Sequence, residues 1–556
     1  MKQQMKKIRF LALALAAILC VGALAGCTSN SSDDDSSGTT NDTTTNDTTN
    51  DSSTTDDTAD DTTADDSTVD DTTNDTTADD SGVPTITWYQ VGNGQPADID
   101  AWYEQVNPYL EEKIGAHVNL QVVDWGSWND RRTMLVQTND DYDIIFTDMS
   151  TYASNVNMGA FADLTDLMAN VPGLTDLIPE EYLKACNING KLYGIPAYKD
   201  SSMTNFFVWT KDYVDQYYPD YAEDHDLFSI DEGLRAIYEG TGETPMMLNK
   251  DGISCIIGNR YDNFGSGLPA IGVSYYSDDA KVVSVFEQDD VLDQLRQMHT
   301  WYNDGLINSD ANTLDNFQGM CAVGVAQGWP SASVGWGQGR GAEVVVSQFG
   351  DSVVSNDTVQ GSISCINASS PNIDKALALL ELVNTDTKVR DWFAYGVEGV
   401  NFEYVEEDGM QKIKKLNQDW SAASYTQGSN MTMTPESGTV GNPYLDEVAV
   451  QNENALSSPA LGFYFDTTNV ADQLAACTAT WLTYKSLLVT GAGDPDTVVP
   501  EMLDALRADG LDEIIAEAQT QLDAYVASNG AAADTGAADA EAATDAEAAA
   551  DATNAG

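Results

Sequence analysis

The reactive residue most sharply framed by its neighbours is Cys27. Leu24-Ala25-Gly26-Cys27 closes an N-terminal segment that carries Lys2, Lys6, Lys7 and Arg9, followed by an apolar run from Phe10 to Leu24. That order is a secretory signal, and the apolar run falls short of the roughly 20 residues that a membrane-spanning helix needs. The four-residue motif has the pattern of a lipobox, in which the cysteine thiol is acylated and becomes the mature N-terminus. The sequence therefore predicts an exported chain, lipid-anchored at Cys27 on the extracellular face of the cell membrane of a Gram-positive bacterium. Other reactive types lack such framing. Cys186, Cys255, Cys321, Cys365 and Cys477 are far apart with no CxxC pattern, and His117, His225 and His299 are scattered. Neither set has metal-ligand spacing, so no metal and no cofactor is expected. The five cysteines read as buried free thiols, with one disulfide left open.

Catalysis finds no purchase either. There is no nucleophile elbow, HExxH or phosphate loop, and the Gly-rich stretch around Trp336 lacks the strand–GxxxxGK[ST]–helix context. Carboxylates are so abundant that pairs of them carry no information, and the 5–5.5 Å or 6.5–9.5 Å separations of glycoside hydrolases are not readable from sequence. What remains is chemistry of binding. Aromatic faces suit the apolar C–H surface of a sugar, while carboxylates and amides suit its hydroxyls.

The elements that must position such groups are legible. Ile86 to Val91 alternates as a strand, and Gly92-Asn93-Gly94-Gln95-Pro96 breaks it. From Asp98 to Ile114, the residues Trp102, Val106, Tyr109, Leu110 and Ile114 fall at helical spacing, and strands follow at Val118 to Trp125 and Tyr142 to Phe146. This alternation predicts an α/β layer with a largely parallel sheet. Sites in such sheets lie beyond the carboxyl ends of the strands, which places Asn93 to Gln95, Trp125 and Asp148 near one edge; Trp125 and Trp128 flank Gly126-Ser127 after the second strand as binding candidates, with a core role open for either. Trp336 is expected to line a cleft from a mobile loop. Near the C-terminus, Pro500 is expected to open a helix whose apolar face is interrupted at Gly510.

Composition bounds the rest. The stretch from Thr28 to Gly82 holds seventeen Asp and no Lys or Arg, so it predicts a disordered, self-repelling tether spanning at least ~40 Å. Residues 530–556, rich in Ala, Asp and Glu, predict a disordered acidic tail. The formal charge of −64 disfavours nucleic acid, which needs clustered Lys and Arg.

Three runs then appear in a telling order: Asp143-Ile144-Ile145-Phe146, Gly159 to Leu164, and Gly190-Lys191-Leu192-Tyr193-Gly194-Ile195-Pro196. Gly319 to Val323 with Gly328-Trp329-Pro330, Gly361 to Asn367, Tyr395 to Val400, and Ser458 to Phe463 follow. In this order the chain resembles extracellular solute-binding proteins of family 1, maltose-binding-protein-like receptors of ABC importers, and in particular the oligosaccharide and aldouronate type with its extra C-terminal module. The resemblance implies a two-lobed, type II periplasmic-binding-protein-like fold with a ligand cleft between lobes. The implied lobes are residues 83–198 with 362–400, and residues 199–361, with 401–529 as a C-terminal module packed on them. It also implies an aromatic platform at Trp329, an acidic contact at Asp200 beside Tyr198, and a first-lobe ligand loop at Asp148, Ser150 and Tyr152. The expected function is a monomeric, non-enzymatic receptor that passes an oligosaccharide to permease subunits. A peptide receptor, a surface glycoside hydrolase and an adhesin are the alternatives.

Overall fold

The computed structural model describes residues 82–528 apart from 140, 224, 278, 318 and 319. The signal segment, the lipid site Cys27, most of the tether and the acidic tail lie outside the described residues. Along the chain run nine strands that matter for the site. They are β1 (Thr85–Gly92), β2 (His117–Asp124), β3 (Ile144–Thr147), β4 (Gly194–Pro196), β5 (Met203–Thr210), β6 (Val323–Gln327), β7 (Val344–Val354), β8 (Ile363–Ile366) and β9 (Leu456–Ser457).

β1 forms because Ile86, Trp88 and Gln90 turn inward at period two, and it pairs in parallel with β2 from Thr85↔His117 to Gly92↔Asp124. The helix Ile99–Ile114 joins them, burying Trp102, Val106 and Leu110 at i, i+4 and i+8. Gly115, at φ +61°, ends that helix by donating its N–H to the Glu111 carbonyl, a conformation that glycine adopts without strain. The sheet order is β2-β1-β3-β8-β4, with β8 antiparallel to both neighbours. Sheet and helices enclose a first apolar cluster, in which Phe393 packs on Trp88 at 5.3 Å and on Trp102 at 4.9 Å.

The second sheet, β6-β5-β7-β9, belongs mostly to a separate cluster built around Phe207, Trp209, Phe286 and Trp301. Residues 401–529 form no cluster of their own among the described residues. Phe402, Ile413 and Met433 join the first cluster, whereas Phe463, Phe465, Cys477, Trp481, Leu506 and Leu522 join the second. The final helices also correct one expectation. Pro495 opens the helix Pro495–Ala508, with Asp494 accepting from the Asp496 N–H, and Pro500 lies inside it. The break at Gly510 stands, at φ +105°. All five described cysteines are buried, and none of them is in a disulfide. No helix among the described residues is long and apolar enough to cross a membrane.

The chain passes between the clusters three times, near residues 197–203, 353–362 and 456–459, one more passage than the two expected at Pro196 and Ser362. The passages lie side by side: Ala197 N–H donates to the Ser362 carbonyl at 2.9 Å, and Ser458 N–H to the Val354 carbonyl at 2.8 Å. Beside them Asp262 is buried, accepting from the Ser458 hydroxyl at 2.5 Å and the Phe264 N–H at 2.9 Å. Burial, reinforced by Asp262, pushes the Asp357 carboxyl up to about 7.

Two outcomes follow for unfolding experiments. Trp481 sits 5.1 Å from Phe286, so Trp481→Ala is expected to remove about 3–5 kcal/mol from second-lobe unfolding; an unchanged transition would make the C-terminal helices an appendage. Native Asp357 keeps its proton to about pH 7, whereas an unfolded aspartate loses it near 4, so its contribution to stability falls as pH rises across that window. Asp357→Asn should flatten the decline of Tm between pH 4 and 7, and an unaltered slope in the variant would contradict the assignment.

Candidate functional site

Asp200 stands on the first passage, partly buried, with the Lys199 ammonium 3.1 Å from its carboxylate. Two tyrosines from the C-terminal region feel its charge. Burial raises the Tyr444 hydroxyl to about 12 and also raises that of Tyr425, and Asp200 adds to both shifts. Each tyrosine faces a tryptophan. Tyr425 and Trp125 are nearly parallel, with centroids 6.3 Å apart and planes at 14°, and Tyr444 lies 6.4 Å from Trp329. The series Trp125, Tyr425, Asp200, Tyr444, Trp329 thus runs from the first lobe, across the passages, to the second. Trp125 and Tyr425 remain about two-fifths exposed. Exposed aromatic faces flanking a carboxylate can take C–H surfaces and hydroxyls together, and sugars offer both.

Local structure explains each placement. The second strand ends at Asp124, not Trp125; Asp124 caps the helix Trp125–Thr138 by accepting from the Gly126 N–H at 2.8 Å, which leaves Trp125 in the outward first turn. Tyr425 rides on a loop wrapped around Arg390, which is wholly buried. The guanidinium donates to the carbonyls of Ser424 and Ser429, both at 2.8 Å, with longer contacts to Gln427, Gly428 and Asn430. Burial lowers the Arg390 pKa to about 10, so the loop's carbonyl dipoles only partly offset lost hydration. Tyr444 opens a π-helical turn, Tyr444–Val448, a geometry that concentrates at functional sites. Trp329 precedes the short 3-10 helix Pro330–Ala332. Behind it, the Trp336 ring lies where a Cβ on Gly328 would stand, 2.8 Å away, so only glycine fits there.

The structure thus brings Trp125, Asp200 and Trp329 together and sorts the other sequence candidates. Tyr198 is half-buried at the same passage, edge-on to Tyr182 at 5.6 Å. Asp148 is partly committed, accepting from Arg132 at 3.0 Å and from the N–H and hydroxyl of exposed Ser150. Tyr152 is a correction: it is fully buried, and its hydroxyl donates to the Cys186 carbonyl at 2.6 Å. Trp128 is another, buried against Phe146 at 5.7 Å beneath the Arg132 guanidinium. Gln95 spends its amide on the edge of β2, donating to the Leu120 carbonyl at 2.8 Å and accepting from the Val122 N–H at 2.7 Å. Asn93 is exposed in the first turn, its backbone N–H tied to the Ser421 carbonyl at 2.9 Å. Trp336 sits in a helix, Ser333–Arg340, where a loop was expected, and packs on Phe206 at 6.1 Å. Tyr425 and Tyr444 were missed, since both lie in aperiodic stretches with no strand end to mark them.

Comparison with known proteins places this architecture. The model of the bacterial extracellular solute-binding protein family matches residues 104–418, more than half of the chain, and a domain of unknown function, DUF3502, matches residues 459–527. A carbohydrate ABC transporter substrate-binding protein of Streptococcus pneumoniae serotype 4 is 26% identical over 461 residues, covering 80% of this chain and 91% of that protein. The crystal structure of the N-glycan transport solute binding protein NgtS from Streptococcus pneumoniae superposes with a TM-score of 0.70 at 25% identity, covering 80% of this chain and 99% of that one. The same protein in complex with Man1GlcNAc gives a TM-score of 0.61 at 25% identity, with the same coverage. Those structures share the two-lobed α/β arrangement found here. The chain belongs to the bacterial extracellular solute-binding protein family, whose members are receptors and not enzymes.

Proposed function

We propose that this chain is a lipid-anchored receptor that captures an oligosaccharide between its lobes and delivers it to the permease of an ABC importer. The observation that carries the reading is the aromatic and carboxylate series from Trp125 through Asp200 to Trp329, which spans both lobes at their shared passages. A ligand held by both ends of that series draws the lobes together, since closure completes its contacts. The named relatives point to the same chemistry, a carbohydrate in one case and an N-glycan in another. The lobes that close are residues 83–198 with 362–400 and residues 199–361. Anchoring rests on the Leu24-Ala25-Gly26-Cys27 motif, and the tether lets the receptor search tens of ångströms above the membrane. No observation favours a peptide, so peptides enter as a control.

Calorimetry against mannose- and N-acetylglucosamine-containing oligosaccharides and a peptide panel checks the ligand class. Saturable binding of a sugar with no turnover is expected; binding of peptides alone, or hydrolysis of the glycan, would contradict it. Trp329→Ala should weaken sugar binding by about tenfold or more, or ~1.4 kcal/mol. Unchanged affinity in the folded variant would remove Trp329 from the site.

A further inference from the structure

The turn that carries Trp329 is short, and the second lobe holds its base through the Gly328 N–H, which donates to the Thr204 carbonyl at 3.0 Å. Pro330, Ser331 and Ala332 make one 3-10 turn, and Gly328 precedes Trp329. Its strongest polar anchor comes from the C-terminal region. One carboxylate oxygen of Glu447, Oε2, accepts both the Ser331 N–H and the Ser331 hydroxyl, each at 2.8 Å. One turn further along the same helical segment, the Gln451 amide reaches the Gly328 carbonyl at 3.4 Å. Asn452, the next residue, accepts the Ser202 N–H at 2.9 Å and donates to the Lys199 carbonyl at 2.6 Å, which ties the segment to the first passage beside Asp200. Tyr444, at the start of the segment, faces Trp329. The nine residues from Tyr444 to Asn452 therefore hold both the Asp200 passage and the Trp329 turn.

We propose that Glu447 is a positioning residue that sets the distance and angle of Trp329 relative to Tyr444 and Asp200, and so determines how tightly the oligosaccharide is held. This inference rests on the receptor reading above for its ligand. The mechanism is geometric. An N–H and an O–H converging on one oxygen fix the start of the 3-10 turn that the Trp329 indole immediately precedes. Charge is not required, because a glutamine carbonyl oxygen in the same place accepts both bonds. Loss of the acceptor leaves Ser331 free to turn away, and the platform loosens without any group that touches the sugar being removed.

The conservative variant separates this from a general loss of fold. Glu447→Ala should weaken binding of a Man1GlcNAc-type oligosaccharide by about tenfold, mainly through faster dissociation, while Glu447→Gln stays close to the wild type. Ser331→Ala, which removes one of the two bonds, should fall between them. A ligand-independent arm uses 5-fluorotryptophan NMR of the unliganded protein, with the Trp329 resonance assigned by Trp329→Phe. Glu447→Ala should shift or broaden that resonance, and Glu447→Gln should leave it in place. An undisturbed Trp329 resonance in Glu447→Ala, or a Glu447→Gln variant as weak as Glu447→Ala, overturns the proposal. If the wild-type protein binds no sugar, the receptor reading fails and the resonance arm alone decides the positioning role.

Discussion

The structure depends on how the backbone is satisfied where it leaves one apolar cluster for the other. Neither sheet continues far enough to pair all three passages, and polar backbone buried between two cores must still find partners. The Asn452 side chain supplies part of the solution, bridging the Lys199 carbonyl and the Ser202 N–H at the first passage. Main-chain bonds from Ala197 to Ser362 and from Ser458 to Val354 supply more. Three passages lie bound side by side, and Asp200 stands on the first of them.

Around those passages, the C-terminal region contributes more to the site than its sequence suggests. It lends Phe402 and Ile413 to the first core and Trp481 and Leu506 to the second, so it cannot be lost without exposing both. It also contributes the two tyrosines, Tyr425 and Tyr444, that feel the charge of Asp200. Holding Tyr425 requires Arg390, a cation wholly buried among carbonyl oxygens, while the neighbouring Asp391 carboxylate is occupied by Thr434 and Tyr404. A buried cation costs stability, and the depressed pKa of Arg390 reflects that cost. Its retention here coincides with a loop whose shape it dictates.

The layers of the fold were readable because their signals are periodic. β1 and the Trp102 helix stand where alternation and i, i+4 spacing put them. Trp125, Asp200 and Trp329, singled out near strand ends, are each left at least partly exposed. What failed was the direction of side chains. Tyr152, Trp128 and Gln95 have the composition of ligand groups, but their hydroxyl, ring and amide are turned to the Cys186 carbonyl, to Phe146 and to the edge of β2. Local sequence carries no sign of that choice, which is made by neighbours distant in the chain. Tyr425 and Tyr444 were hidden for the same reason: their importance arises only when the loop around Arg390 and the segment before Asn452 fold back onto the first passage.

The claim at the centre of this account is that the ligand lies across the passages, between Trp125 with Tyr425 on one side and Trp329 with Tyr444 on the other. A crystal structure of the protein grown with a mannose and N-acetylglucosamine oligosaccharide tests it most directly. The account predicts sugar rings against those aromatic faces, a hydroxyl hydrogen-bonded to the Asp200 carboxylate, and lobes closer together than in the unliganded form. A sugar bound elsewhere on either lobe, with Trp125 and Trp329 untouched and the lobes unmoved, would contradict it.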